Sequence, residues 1–361
     1  MPEKLAVRAE AARLCEVFVN AGAQVVETAI LQPAELLLDL YGEDIRGRAY
    51  VTSDALRGEQ MLRPDFTVPV VQKHMEHGAE PARYTYAGEV FRRQELDEDR
   101  ANEYMQVGYE VFDRDNPAAA DAEVFTLISN ALSGLPLRAA TGDIGILMAA
   151  VRGLDTSDRR KAALMRHIWR PRRFRTLIDR YSGRAEMPAG RKALIKNKNP
   201  MKGIGPMIGL RSAEEVEARI SALREDAKAA PLSAGEVELL DAILSVRETA
   251  PNALEMLRDI AVDMPSINAA VTRLAKRMEA MHKRGVNVNR LDFEASYGRS
   301  SMEYYDGFVF GFYAENRADL PPVASGGRYD ALTRQLGKGA EIPAVGGVIR
   351  PGLVVELGGA L

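Results

Sequence analysis

One run of alternating residues carries two polar side chains that could hold a small ligand. The run from Glu103 to Phe112, EYMQVGYEVF, alternates as a strand with one buried apolar face does. Gln106 and Glu110 therefore share a face, roughly 13 Å apart at most along the strand, and Gly108 between them leaves room for a ligand. An amide and a carboxylate suit a cationic or amphoteric molecule. On this run alone, an ordinary solvent-exposed sheet face explains the residues somewhat better.

Tandem arginines end the preceding strand run. Arg92 and Arg93 follow the run from Arg83 to Phe91, and a guanidinium binds a carboxylate or phosphate through a two-pronged fork. They could equally pair with the acidic residues that come next, namely Glu95, Asp97, Glu98 and Asp99. Both alternatives stay open from these residues alone.

Two prolines restrict the backbone of an upstream segment, LRPDFTVP. Pro64 and Pro69 hold Asp65 and Thr67 in a defined, nonhelical geometry. The alternative is a simple loop whose aspartate caps the helix that follows. Near the C-terminus, EYYD precedes an aromatic strand run, and SGGRYDAL passes from a strand through Gly-Gly into a helix. Glycines there permit close backbone approach to a ligand, although each segment is a weak indication by itself.

The periodicity predicts the elements that position these residues. We expect an amphipathic helix over residues 5–20 and an almost wholly helical stretch from Ala118 to about Lys283. Strand character returns at 291–293, 307–313, 322–325 and 344–349. Strands therefore flank a helical middle in sequence. We predict an α+β fold, with one mostly antiparallel sheet flanked by helices and split in sequence by a helical insertion.

Composition and charge exclude several classes of protein. The 361 residues carry a net charge of −3, which argues against a chain that binds nucleic acid throughout. No segment approaches the roughly 18 apolar residues of a membrane span, and the charged N-terminus lacks a signal core, so we expect a cytoplasmic protein. A single cysteine, Cys15, excludes an intrachain disulfide, and the four scattered histidines form no ligand set. We predict no metal and no cofactor.

One segment opposes the overall charge. Between Arg159 and Arg184 there are ten Lys or Arg residues and a single acid, Asp179. Three interpretations remain open, in order of preference: a solvated helix face with compensating acids elsewhere, a surface for a protein partner, and a site for RNA or another polyanion.

Taken in order, these segments resemble the catalytic domain of histidyl-tRNA synthetases. LRPDFTVPV resembles the LRPEGT signature, and GEVFRR with EYMQVGYEVF resembles class II motif 2. MEYYDGFVFGFY resembles RGLDYYT…VFE, SGGRYDALTRQLG resembles GGRYDGL, and AVGGVIRPGL lies where motif 3 should be. The resemblance implies a class II aminoacyl-tRNA synthetase-like fold. We divide it into a first part over 1–150, a helical insertion over 151–285 and a second part over 286–361.

The resemblance also implies a histidine pocket. The matching positions are Asp65, Thr67, Gln106 and Glu110 at the amino end of the ligand, and Tyr305 and Tyr329 at its imidazole end. Arg92 matches the first arginine of motif 2, and Arg100 matches a later arginine of the motif 2 loop. Arg92, Arg93 and Arg100 are therefore possible contacts for an anion or phosphate.

The activation centre departs from the family pattern, so we expect no catalytic residue. Ser300 stands where the family has the arginine before GLDYY, and the adjacent Arg299 would face the other way in an extended segment. Gly352 and Leu353 replace the Glu-Arg pair of motif 3, and leucine donates no hydrogen bond to a triphosphate. Arg350, three positions earlier, is expected to be a poor geometric substitute.

With these departures, the chain resembles the regulatory subunits of ATP phosphoribosyltransferase. The printed sequence ends eight residues after Leu353, where a synthetase would continue, so we expect no anticodon-binding domain and no tRNA binding. The resemblance implies a non-catalytic subunit in the first step of histidine biosynthesis. It would bind histidine for feedback control and support a short-form catalytic subunit, as a homodimer within a hetero-oligomer. The alternative is an ATP-dependent amino-acid-activating ligase of the histidyl-tRNA synthetase type.

Overall fold

A computed structural model describes residues 3–34, 45, 47–94, 100–203, 205, 208–299 and 304–358. The helices are α1 (Lys4–Asn20), α2 (Thr67–His77), α3 (Pro117–Ala131), α4 (Ile144–Gly153), α5 (Asp158–Arg166), α6 (Pro171–Tyr181), α7 (Ala189–Lys196), α8 (Ala213–Asp226), α9 (Ala234–Ser245), α10 (Ala250–Asp263), α11 (Asn268–Lys283), α12 (Asp330–Leu336) and α13 (Pro351–Glu356). Short 3-10 turns lie at Pro265–Ile267 and Val288–Arg290. Within these ranges, every helix is too short or too polar to traverse a lipid bilayer.

The strands form two sheets. They are β1 (Gln24–Val25), β2 (Leu31–Pro33), β3 (Val51–Asp54), β4 (Gly58–Leu62), β5 (Ala82–Phe91), β6 (Glu103–Phe112), β7 (Leu137–Asp143), β8 (Arg247–Thr249), β9 (Asp292–Glu294), β10 (Phe308–Ala314), β11 (Ala324–Arg328) and β12 (Ala344–Ile349). The large sheet has the order β1-β5-β6-β12-β11-β10-β7-β9-β8, and the small one has the order β2-β4-β3.

The centre of the large sheet is antiparallel. The six neighbouring strands from β5 to β7 all pair in that way, and parallel pairing joins β1 to β5 and β7 to β9. The predicted mostly antiparallel sheet is therefore confirmed. β5 and β6 pair along their full length, with Ala82 opposite Phe112 and Phe91 opposite Glu103. This register places Gln106 and Glu110 within the sheet rather than at an edge.

Helices cover the sheet and close one hydrophobic core. The predicted N-terminal helix is α1, which lies against β5, β6 and α13. α3 lies against β6, β11 and β12, and α11 packs against α3. Leu14 of α1 and Ile128 of α3 are completely buried in this core. The division at residues 150 and 285 stays a prediction, although α11, on the insertion side of it, lies directly against α3.

The predicted helical middle misses two strands, β7 and β8. β7 is central to the sheet, yet Ala139, Ala140 and Gly142 have low strand preference and Thr141 is its single β-branched residue. It is stabilised by pairing with β10, whose Phe310 lies opposite Thr141, far away in sequence. Because that partner is distant, local periodicity does not reveal the strand.

A buried ionic network ties α11 to the sheet. Arg277 of α11 donates to Asp143 at the end of β7 and, at 3.3 Å, to Asp121 of α3. Asp121 also accepts from Arg328 of β11 at 2.7 Å. Buried charges are tolerated when they are paired in this way. Since Tyr329 follows Arg328 directly, the network fixes the start of the segment that carries this predicted site residue.

Candidate functional site

Glu110 lies at the centre of a buried cluster of hydroxyl groups. Only 1% of its surface is exposed. Its Oε1 accepts hydrogen bonds from Thr67 Oγ1 at 3.0 Å and from Tyr86 Oη at 2.7 Å, and its Oε2 accepts from Tyr329 Oη. Segments distant in sequence, from α2, β5, β6 and the end of β11, therefore meet at one carboxylate.

Glycine in the adjacent strand makes space for this carboxylate. A Cβ atom on Gly346 of β12 would lie 1.4 Å from Glu110 Oε2, so only glycine fits beneath it. The space over Gly108, in contrast, is filled by Tyr86, whose Cζ would lie 2.1 Å from a Cβ there. The expectation that Gly108 leaves room for a ligand is therefore wrong. Tyr86 stands opposite Gly108 in the β5–β6 register, and this pairing is the signal that could have identified it.

Burial makes Glu110 unusually basic. Desolvation raises the pKa of its carboxyl to about 7, and the negative charge of Asp65 adds to the increase. The hydroxyl groups of Tyr329, Tyr86 and Thr67 act in the opposite direction, because they stabilise the carboxylate. A cationic or N–H-bearing ligand at this position would favour the ionised form.

Gln106 is the second polar residue of the strand face. It is 1% exposed, and within the described part of the chain its Oε1 has no hydrogen-bond partner. A buried carbonyl oxygen without a donor costs about 1–3 kcal/mol. An ammonium or N–H group of a ligand would satisfy it. The interpretation of this face as ordinary solvent-exposed surface is wrong, because both Gln106 and Glu110 are buried.

Asp65 and Arg92 place opposite charges side by side, close enough to Glu110 for the charge of Asp65 to act on it. Both are buried, and Arg92 Nη2 lies 3.9 Å from Asp65 Oδ2. Arg92 Nε also donates to Pro64 O at 2.7 Å, which anchors the guanidinium to the proline-bounded segment. Phe66 stacks on Tyr86 with ring centroids 4.3 Å apart, so the same segment packs against the Glu110 cluster.

Two tyrosines and an aspartate that the sequence analysis did not identify lie on the C-terminal segments of the candidate site. Tyr305 and Tyr329 are both buried, and Tyr305 packs so closely on Gly327 that its Cδ1 would lie 2.8 Å from a Cβ there. Asp306 accepts from the backbone N–H groups of Asp330 and Ala331, at 3.0 and 2.7 Å, at the start of α12. Burial and the charge of Asp330 raise its pKa to about 7. Its position within EYYD gave no indication of this anchoring role.

The other two predicted anion contacts, Arg93 and Arg100, have backbone carbonyl partners in other segments. Arg93 is exposed and donates to Gly47 O, and Arg100 donates to Asp319 O at 2.7 Å. Their role in anion binding stays a prediction. The acidic residues considered as alternative partners, at positions 95 and 97–99, lie outside the described residues.

Three of the positions at or beside the departures from the synthetase pattern belong to the described residues: Arg299, Gly352 and Leu353. Ser300 lies outside the described residues. Arg299 is turned away from the pocket, because its Nε donates to Ile168 O at 2.8 Å and its guanidinium lies 4.8 Å from the Phe174 ring centroid. Gly352 and Leu353 are in α13, where Leu353 packs against the hydrophobic core.

Part of the basic segment is compensated by acids from other helices. Arg160 is buried and donates to Asp226 of α8 at 2.7 Å. Arg175 and Arg184 both pair with Asp241 of α9. These pairs agree with the first interpretation of the segment for the three arginines involved.

Comparisons with known proteins identify the family. The histidyl-tRNA synthetase family model matches residues 1–198 and 212–351. The ATP phosphoribosyltransferase regulatory subunit of Brucella canis is 30% identical over 346 residues, covering 90% of both chains, and that of Brucella anthropi is 29% identical over 345 residues, again covering 90% of both.

Solved structures show the same fold. A Bacillus halodurans protein described as an ATP phosphoribosyltransferase regulatory subunit/histidyl-tRNA synthetase matches with a TM-score of 0.68 and 23% identity, over 99% of this chain and 80% of that one. A histidine–tRNA ligase subunit from Alicyclobacillus acidocaldarius matches with a TM-score of 0.61 and 22% identity, over 99% of this chain and 95% of that one. The chain therefore has the class II synthetase fold and belongs to the histidyl-tRNA synthetase-like family of ATP phosphoribosyltransferase regulatory subunits.

Proposed function

We propose that this chain is a non-catalytic, histidine-binding regulatory subunit that controls the first step of histidine biosynthesis. The observation that carries the proposal is the buried carboxylate of Glu110, held by three hydroxyl groups in a pocket that also contains Asp65 and Gln106. A buried carboxylate beside Gln106 Oε1, which has no hydrogen-bond partner among the described residues, suits a small ligand that supplies ammonium and N–H donors.

Histidine fits the distribution of groups. Asp65, Thr67 and Gln106 would surround its ammonium group, and Tyr305 and Tyr329 would lie beside its imidazole. Glu110 lies between the two ends, because its oxygens already accept from Thr67 on one side and Tyr329 on the other. It would therefore accept an N–H group of the ligand where the two ends meet.

The chain would bind histidine without activating it. Positions 352 and 353 supply no donor from their side chains, and Arg299 is held by Ile168 and Phe174 outside the pocket. Removing one donor that stabilises the charge of a transition state typically costs 100-fold or more in rate. These features support a subunit without its own catalytic centre.

The proposed partner is a short-form ATP phosphoribosyltransferase catalytic subunit. Feedback control requires histidine to bind two states of the complex with different affinities, typically by about 1–3 kcal/mol. We propose a cytoplasmic hetero-oligomer that contains a homodimer of this chain, without tRNA.

Calorimetry with histidine, together with histidine-dependent exchange of pyrophosphate into ATP, tests binding and activation separately. We expect saturable heat with histidine and no exchange. Tyr329→Phe should weaken binding because Glu110 loses a hydroxyl partner, whereas Tyr181→Phe in α6, whose hydroxyl accepts from Arg180, should not. Absence of heat would contradict the histidine site, and robust exchange would instead support the ligase alternative.

A further inference from the structure

A second arginine accompanies Arg92 at the edge of the pocket. Arg350, at the N-terminus of α13, lies with its guanidinium carbon 5.8 Å from the ring centroid of Tyr104 and donates to Pro322 O. Tyr104 belongs to the same strand face as Gln106, so the two Cα atoms are about 7 Å apart along β6. Arg350 therefore lies beside the predicted histidine pocket rather than remote from it.

The electrostatics of this corner are cationic. Burial acts to raise the pKa of the Tyr104 hydroxyl, yet the guanidiniums of Arg92, Arg350 and Arg48 together lower it. Burial also lowers the pKa of Arg350, and the positive charge of Arg92 lowers it further. Three guanidiniums thus act on one hydroxyl group, and their mutual repulsion favours an anion among them.

The partners of Arg350 are neutral within the described part of the chain. Its guanidinium bonds to a carbonyl oxygen and interacts with Tyr104, and it forms no ion pair with a carboxylate there. A buried cation whose charge is uncompensated is costly, and an arginine fork is well suited to a carboxylate. The expectation that Arg350 is a poor substitute for the missing ATP-contacting arginine stays a prediction, and the same arginine lies in the corner that holds Tyr104 and Arg92.

We propose that Arg350 and Arg92 form the subsite that binds the α-carboxylate of the amino acid in the pocket. The inference rests on the proposed function, because it assigns the second charged end of the same ligand. The amine nitrogen and carboxyl carbon of an amino acid are about 2.5 Å apart. A zwitterion therefore requires opposite protein charges close together, and Asp65 Oδ2 lies 3.9 Å from Arg92 Nη2.

Arg350 would then have a different role from that of the motif 3 arginine, whose position lies three residues later in the chain. The family arginine of motif 3 contacts ATP, whereas position 353 is a leucine in this chain. Arg350 is one turn earlier, at the start of α13, and its reach toward Tyr104 directs it to the end of the pocket nearest Gln106. The site would then recognise a free carboxylate, which an activated aminoacyl adenylate lacks.

Paired titrations with two ligands test the assignment. Wild type, Arg350→Ala and Arg350→Lys would be titrated calorimetrically with L-histidine and with histamine, which lacks the carboxylate. We expect Arg350→Ala to weaken histidine binding about 10- to 100-fold and to leave histamine binding unchanged, since only histidine loses a charge-assisted contact. Arg350→Lys should lose less, because it keeps the charge but not the fork. Arg247→Ala, in a surface pair with Glu294 of β9, is the matched control and should bind both ligands as wild type does.

The outcomes separate the subsite from the proposed function. Equal weakening of both ligands would assign Arg350 a structural role and overturn the subsite, as would unchanged histidine binding. A titration with ATP adds a third arm: ATP binding that depends on Arg350 while histidine binding does not would make the corner a phosphate site and overturn the carboxylate assignment. If wild type binds no histidine at all, the proposed function itself fails. Should Arg350→Ala not fold, Arg350→Lys and the wild-type preference for histidine over histamine decide the question.

Discussion

The substitution Glu110→Gln separates the stability of the pocket from its binding function. In the unliganded protein, burial raises the pKa of Glu110 from 4.5 to about 7. At 1.36 kcal/mol per pKa unit, holding the ionised carboxylate above pH 7 costs about 3 kcal/mol of folding stability. Glutamine removes that cost but loses about 1 kcal/mol of stability elsewhere, because one hydroxyl donor then faces an amide N–H group.

We therefore expect Glu110→Gln at pH 8 to be as stable as wild type or more stable, by up to about 2 kcal/mol in the free energy of unfolding. Its affinity for histidine should nevertheless fall about 10- to 100-fold, since the ligand loses a charged acceptor. Chemical denaturation measures the first quantity and calorimetry the second. Unchanged histidine affinity would refute the reasoning, and so would a large loss of stability at pH 8.

Glu123→Gln is the matched control, because Glu123 packs on the opposite face of β5 and β6. It accepts from Arg83 at 2.6 and 2.8 Å and from Tyr109 at 2.7 Å. Losing its charge should lower the free energy of unfolding by about 1–2 kcal/mol while leaving histidine affinity unchanged.

Three further predictions concern pH, packing and the ionic network. Because the pKa of Glu110 is raised in the folded protein, the contribution of this group to stability is full below pH 4.5 and is lost as pH rises toward about 7. Histidine binding should show the reverse trend: it should weaken below pH 7 and release a proton, which calorimetry in two buffers would detect. Binding without proton release would show that Glu110 is not the acceptor. Gly346→Ala should displace Glu110 and weaken histidine binding at least 10-fold. Gly347→Ala, whose Cβ would press on Ile128 and Phe310 rather than on Glu110, should cost stability but keep the affinity; equal affinities of the two variants would contradict the packing. Arg277→Ala should lower the free energy of unfolding by about 3–5 kcal/mol, because it leaves buried carboxylates unpaired. Arg138→Ala, at an exposed ion pair, should lower it by less than about 1 kcal/mol. Equal losses of stability in urea denaturation would contradict the buried network.

The sheet could be predicted where the local sequence pattern marks a strand. β6 and β12 have the bounds that alternation and apolar content predict, and β5 differs by one residue. β7 was not predictable, because Ala139 and Ala140 carry no strand preference and their stability comes from pairing with β10. Long-range pairing, rather than local pattern, decides such a strand.

The candidate site could be predicted in part, where it depends on a local strand pattern. Alternation alone placed Gln106 and Glu110 on one face, and the family resemblance added the segment with Asp65 and the tyrosines. Two features are not visible in the pattern of a single strand. The filling of the space over Gly108 by Tyr86 follows from the β5–β6 register, and the approach of Arg350 to Tyr104 follows from three-dimensional packing.

The central claim, a histidine-responsive regulatory subunit, is tested most directly by one rate measurement. The phosphoribosyl transfer rate of a short-form ATP phosphoribosyltransferase catalytic subunit would be measured alone, with this chain, and with this chain plus histidine. We expect the chain to raise the rate and histidine to lower it again, whereas a complex with Glu110→Gln should stay active but respond only at higher histidine concentrations. A rate that changes neither with the chain nor with histidine would contradict the account.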